Sequence, residues 1–140
     1  MKTLLFVLML LISELALAQK ILVIVNASNP LNSISSQQLQ DFYFKRAKQW
    51  PDGSALRFFD RSEGSEERKE FLSSLLHRST RQVDHFWIGQ KLYSGASAPS
   101  QVNSDRMVTS LVARFPGGIS YVSENFTQFK GVKVLTVTGD

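Results

Sequence analysis

The densest chemistry in this sequence lies in six consecutive residues, Asp60-Arg61-Ser62-Glu63-Gly64-Ser65. Arg61 offers a planar fork that can grip two oxygens. Gly64 has no side chain to keep a ligand from the backbone. Ser65 adds a hydroxyl where a helix would begin, with free N–H groups and the positive end of a helix dipole. In that order these residues make an oxyanion cradle. They equally make a helix cap beside a surface Arg–Glu pair, because serine is among the preferred caps. Other combinations hold less. His77 and His85 fall on separate predicted helices with no carboxylate at ligand spacing, which argues against zinc. Asp84, His85 and a serine would compose a hydrolase triad, but no Gly-x-Ser-x-Gly elbow is present. The chain contains no cysteine, which removes disulfide scaffolds, thiol catalysis and iron–sulfur clusters together. The expectation is a protein without cofactor, metal or catalytic residues.

The elements that must position the loop are legible on either side of it. Ile21-Leu22-Val23-Ile24-Val25 is an unbroken aliphatic run, the pattern of a strand buried on both faces. Ser35 with Gln38 forms a capping box, and Ile34 and Leu39 form its hydrophobic staple, so a helix starts there. Trp50-Pro51-Asp52-Gly53 reads as a turn and Leu56-Arg57-Phe58-Phe59 as a short strand leading into the loop. After the loop, Phe71, Leu72, Leu75 and Leu76 share one helical face. Ser79 with Gln82 caps a further helix, whose Val83, Phe86 and Trp87 read as core. Ser104 caps the last helix, where Met107, Val108, Leu111, Val112 and Phe115 recur with helical period, Leu111 at the centre. Pro116-Gly117-Gly118 ends it, and Ile119–Val122 and Val132–Val137 read as strands. The predicted class is α/β, a mixed sheet with helices packed against it.

The whole chain has 140 residues, within the range of one domain. Sixteen Lys and Arg against 12 Asp and Glu give a formal charge of +4. A hydrophobic share of 43% with 20% charged residues is globular composition and excludes disorder. The basic excess is spread thinly, which argues against a nucleic-acid surface. Residues 1–18 stand apart. Lys2, the apolar run from Leu4 to Ile12 and the small-x-small site Ala16-Leu17-Ala18 have the pattern of a secretory signal peptide cleaved after Ala18. The run is shorter than the roughly 20 apolar residues of a membrane span. A folded domain over residues 19–140 is expected, touching a membrane only through a partner.

Four motifs in order resemble one family. Arg61-Ser62-Glu63-Gly64-Ser65 resembles the Arg-x-x-Gly-Ser phosphate loop of periplasmic phosphate-binding proteins, the solute receptors of ABC phosphate importers. Val25-Asn26-Ala27-Ser28-Asn29-Pro30-Leu31 with Ser35 and Leu39 resembles the family's strand, Asn-Pro turn and first helix. Trp50–Ser54 resembles its next turn, and Phe115–Val122 its Pro-Gly-x-Ile-Gly-Tyr-Val element. The resemblance runs from Ile21 to Leu135. It implies one lobe of a type II periplasmic-binding-protein fold, a periplasmic location, phosphate or another oxyanion as ligand at Arg61, Gly64 and Ser65, and an ABC transporter or envelope protein as partner. Two features depart from the family. Its receptors are two-lobed clamshells, and this chain has the length of one lobe. Many members continue Gly-Ser-Gly-Thr, where this chain has Glu66 and Glu67. Two carboxylates suit a helix start but repel a bound dianion. A half-site of Arg61, Ser65 and one or two N–H groups is worth about 4 kcal/mol, a Kd near about 1 mM. Two readings remain open: a weak oxyanion receptor, which needs Arg61 free, and an interaction module built on the same scaffold, in which Arg61 is tied up.

Overall fold

A strand buried on both faces needs neighbours on both edges, and the Ile21–Val25 run obtains them. The computed structural model describes residues 21–139, so the predicted signal peptide and its cleavage site lie outside the described residues. The elements in chain order are β1 (Ile21–Asn26), β2 (Ser33–Ser35), α1 (Ser36–Tyr43), β3 (Arg57–Arg61), α2 (Glu66–Ser74), α3 (Thr80–Ser94), β4 (Ser100–Val102), α4 (Asp105–Arg114), β5 (Gly118–Ser123) and β6 (Val132–Thr138). They form one six-stranded sheet in the order β2-β6-β1-β5-β3-β4. β1 pairs antiparallel with β5 and β6, while β2–β6, β3–β5 and β3–β4 are parallel. The mixed sheet predicted from sequence is therefore present, with two additions. β2 and β4 are three-residue strands that the sequence reading did not assign. They lie at the two edges of the sheet, where pairing with β6 and β3 defines them.

The side-chain period of two sorts the sheet into faces. Val23, Val25, Phe58, Ile119 and Tyr121 pack with Leu39, Phe42, Phe71, Leu72, Val83 and Trp87 of α1, α2 and α3. Ile24, Phe59 and Val122 point the other way, onto Val108 and Val112 of α4. Helices thus cover both faces, three on one side and α4 on the other. Within α4, Val108 and Val112 are fully buried, Leu111 sits at the margin and Met107 is exposed. The expected centre of that helix is displaced by one residue, because its contact with the sheet follows the 108/112 edge of the apolar stripe.

Local chemistry explains the starts of the helices. Ser35 accepts from the Gln38 N–H while the Gln38 side chain accepts from the Ser35 N–H, both at 3.0 Å. Ser79 and Gln82 repeat the arrangement at α3. Two turn motifs far apart in sequence meet in space. The Trp50 indole N–H and the Arg57 N–H both donate to the Gly117 carbonyl at 2.9 Å. A Cβ at Gly117 would overlap the Ala55 carbonyl, so only glycine lets these two segments close.

Candidate functional site

β3 continues two residues further than expected, through Asp60 and Arg61, and its alternation sends them to opposite faces. Asp60 follows Phe58 toward α1 and α2. It is buried, and its carboxylate accepts from the Tyr43 hydroxyl at 2.6 Å, Arg68 Nε at 3.1 Å, the Arg61 N–H at 2.8 Å and the Tyr121 hydroxyl. Arg68 also reaches Asp84 on α3 through Nη2 at 3.2 Å. Burial, reinforced by the facing carboxylate, holds the Tyr43 and Tyr121 phenols well above the ordinary tyrosine range. Burial opposes the Arg68 charge, and Asp60 with Tyr43 outweighs it, leaving the guanidinium above its usual range. This network ties three helices to the sheet. A buried carboxylate with four donors, one of them a cation, is a satisfied structural group.

Arg61 follows Phe59 toward α4. Only 2% of it is exposed. Its Nη1 donates to Asp105 Oδ1 at 2.5 Å and to the Tyr121 carbonyl at 3.2 Å. Nε donates to the Val102 carbonyl at 3.1 Å, and Nη2 to the Asn103 carbonyl at 3.3 Å. Asp105 is the first residue of α4, so the ion pair also sits on that helix's positive end. Arg61 therefore lies in a strand and is engaged from within, where the sequence reading placed it in a loop beside Ser65.

Gly64 and Ser65 are where the sequence put them. Gly64 takes φ of 80°, with open space where a Cβ would stand. The Ser65 hydroxyl accepts from the Arg68 N–H at 3.2 Å as the cap of α2, and Glu66 and Glu67 occupy its first turn. The loop is braced sideways: the Ser62 hydroxyl bonds the Asn103 side chain, and the Glu63 N–H donates to Gln101 Oε1 at 3.2 Å. β3 leads to helices on one face and β4 leads to α4 on the other, so their carboxyl ends flank a topological switch point. In open α/β sheets that crevice is where ligands bind.

Solved structures share this fold. An ABC-type phosphate transport receptor from Vibrio cholerae superposes with a TM-score of 0.66 over 85% of this chain, at 19% identity. PstS from Borrelia burgdorferi superposes with a TM-score of 0.65 over 86%, at 16% identity. This chain has the fold of one phosphate-receptor lobe. It spans 46% and 47% of those two receptors. No family model and no curated protein sequence matches it. At these identities the likeness is one of type II binding-protein architecture.

In this lobe the crevice carries an unfavourable charge balance for an anion. The loop's cation is paired with Asp105, and the loop and the first turn of α2 carry Glu63, Glu66 and Glu67. The remaining residues weighed from sequence sit apart. His77 follows α2 with φ of 55° and is exposed, His85 is exposed on α3, and Asp84 is paired with Arg68. Among the described residues no cluster of His, Asp and Glu converges as a metal site, and no helix is long and apolar enough to cross a membrane. Asp105, Arg68, Tyr43 and Tyr121 were not singled out from sequence. The usable signal was the strand period: extending β3 by two residues places Asp60 with Phe58 and Arg61 with Phe59.

Proposed function

We propose that this chain acts by binding and not by catalysis, as an exported receptor-lobe module that docks a partner protein of the cell envelope. The observation that carries the reading is the internal engagement of Arg61, with Asp105 and three backbone carbonyls as its partners. The loop's cation is already neutralised, and the loop and the first turn of α2 add three glutamates. Export is supported by the leader pattern of residues 1–18. The likeness to transport receptors makes a membrane transporter one candidate partner.

A second reading is favoured by the position of the crevice at the switch point and by the open space over Gly64. There the lobe binds phosphate or a related oxyanion weakly through Gly64, Ser65 and the first N–H groups of α2, with Arg61 released from Asp105.

Two measurements separate the readings. A photo-crosslinking residue scanned over exposed positions in the producing cell should give protein adducts at one contiguous set of sites. Calorimetry with phosphate, sulfate and a chloride blank should give no anion-specific heat up to about 10 mM ligand, about ten times the Kd of the half-site. A phosphate Kd of about 1 mM or tighter with no protein adduct at any position would overturn the docking reading in favour of the receptor one.

A further inference from the structure

The side of α3 away from the crevice carries a groove that the oxyanion loop does not explain. Three adjoining cavities of about 220, 530 and 370 Å³ run beside the helix. Phe44 is shared by the first two, and Trp87 with Ala96 by the last two. Ile88 and Leu92 line the third cavity and are 62% and 80% exposed, and the neighbouring Tyr93 is 91% exposed. Singly exposed apolar residues are ordinary, but three within six positions bordering an apolar groove form a patch.

The charge around this groove has one sign. Lys45, Arg46, Lys48, Arg78 and Lys91 line the cavities and are exposed, and no Asp or Glu lines any of the three. Asp41 pairs with Arg46 from outside the lining, at 3.2 Å. Lys45 is held in place: its Nζ donates to the Ser97 carbonyl at 2.5 Å and stands 5.8 Å from the Trp87 ring centroid. The Trp87 indole N–H is buried and has no acceptor among the described residues. Cations and aromatic walls together ask for an occupant with negative charge and apolar side chains.

We infer that this groove along α3 is the lobe's docking surface, and that its occupant is an acidic peptide segment with apolar anchors belonging to a partner protein. The inference rests on the docking reading above and names its surface and its partner's chemistry. From Gln82 to Leu92 the helix rises about 15 Å, the span of about five extended residues. A segment of that length places two or three apolar side chains into the cavities while flanking Asp or Glu residues meet the lysines and arginines. Separate indentations suit individual side chains, whereas a lipid surface is met by a convex face with its apolar residues outward. Steering by opposite charge speeds such an encounter and makes it sensitive to salt.

The test is selection of a random twelve-residue peptide display library on the purified protein, followed by fluorescence polarisation with the selected peptides. Selected sequences should carry at least two Asp or Glu beside Leu, Ile, Phe or Trp. Leu92→Asp, at an exposed position, and the pair Lys45→Glu with Lys91→Glu should each weaken binding at least about tenfold while circular dichroism shows the variants folded. A peptide with its acids replaced by lysine should bind the charge-reversed pair better than it binds the unaltered protein. Selection of no peptide, selection without acidic preference, or indifference to these variants would overturn the inference. So would capture of the protein by phosphatidylglycerol vesicles through the same residues in preference to the peptides. Crosslinked partners at positions away from Leu92 and Tyr93 would sink the groove and leave the docking reading standing; no crosslinked partner anywhere would sink both.

Discussion

Arg61→Ala separates a brace from a ligand group by size of effect. The guanidinium makes four hydrogen bonds, one of them within an ion pair, and is 2% exposed. Removing one member of a buried pair costs about 3–5 kcal/mol. The Asp105 side chain is 23% exposed, so water reaches the carboxylate left behind and the cost falls to the lower end, about 3 kcal/mol. A solvent-facing ligand arginine would cost less than about 1 kcal/mol. With a urea slope of about 1.5 kcal/mol per molar, the two cases lower the midpoint by about 2 M and by less than about 0.7 M. Asp105→Ala should cost about 2 kcal/mol, because Arg61 keeps its three carbonyl acceptors. The double variant should be more stable than the sum of the two losses predicts, by about 1–2 kcal/mol. The assay is urea unfolding followed by tryptophan fluorescence, with phosphate calorimetry on each variant. An Arg61→Ala midpoint within about 0.7 M of the parent, with additive effects in the double variant, would refute the brace.

Three more outcomes follow from other parts of the fold. Tyr43 and Tyr121 stay protonated in the folded state while unfolded tyrosines ionise near about pH 10, so the unfolded chain binds fewer protons there. Their contribution is whole below that pH and is lost above it, with a slope reaching about 2.7 kcal/mol per pH unit for the two, read from urea midpoints between pH 9 and 11.5. Gly117→Ala should lower stability by about 2 kcal/mol or more, seen in thermal melts, since its methyl meets the Ala55 carbonyl; an unchanged melt would mean the two turns separate freely. Val112→Ala should cost about 1–3 kcal/mol and more than Leu111→Ala, because Val112 lies wholly inside and Leu111 at the edge; the reverse order in urea melts would displace the core from the 108/112 stripe.

What the sequence revealed was local, and what it concealed was distant. The capping boxes at Ser35 and Ser79 were legible because each is closed within three residues. β1 was legible because an aliphatic run has few other uses. β2 and β4 were not, since strands of three residues carry no period and exist only by their partners. The loop motif lies at the switch point at the end of β3, but it carried no signal of the direction of its arginine. That direction is set by a residue 44 positions later, Asp105, and by the pleat of the strand. The Asp60 network joins Tyr43, Arg68 and Tyr121, whose spacings match no motif.

The order of strands has a consequence for how this chain acquires its shape. β1 is made first, yet both of its partners, β5 and β6, come from the last part of the chain. Ile24 waits for Ser120 on one edge and Val134 on the other. Helices α1 to α3 can form early but have no complete surface to lie on until that closure. Such long-range pairing slows folding, because loop-closure entropy must be overcome before the contacts reward it. A nascent chain lacking β6 holds its most hydrophobic strand with an open edge, the geometry that invites pairing with other chains. Closure of the sheet around β1 therefore waits until β6 has been made.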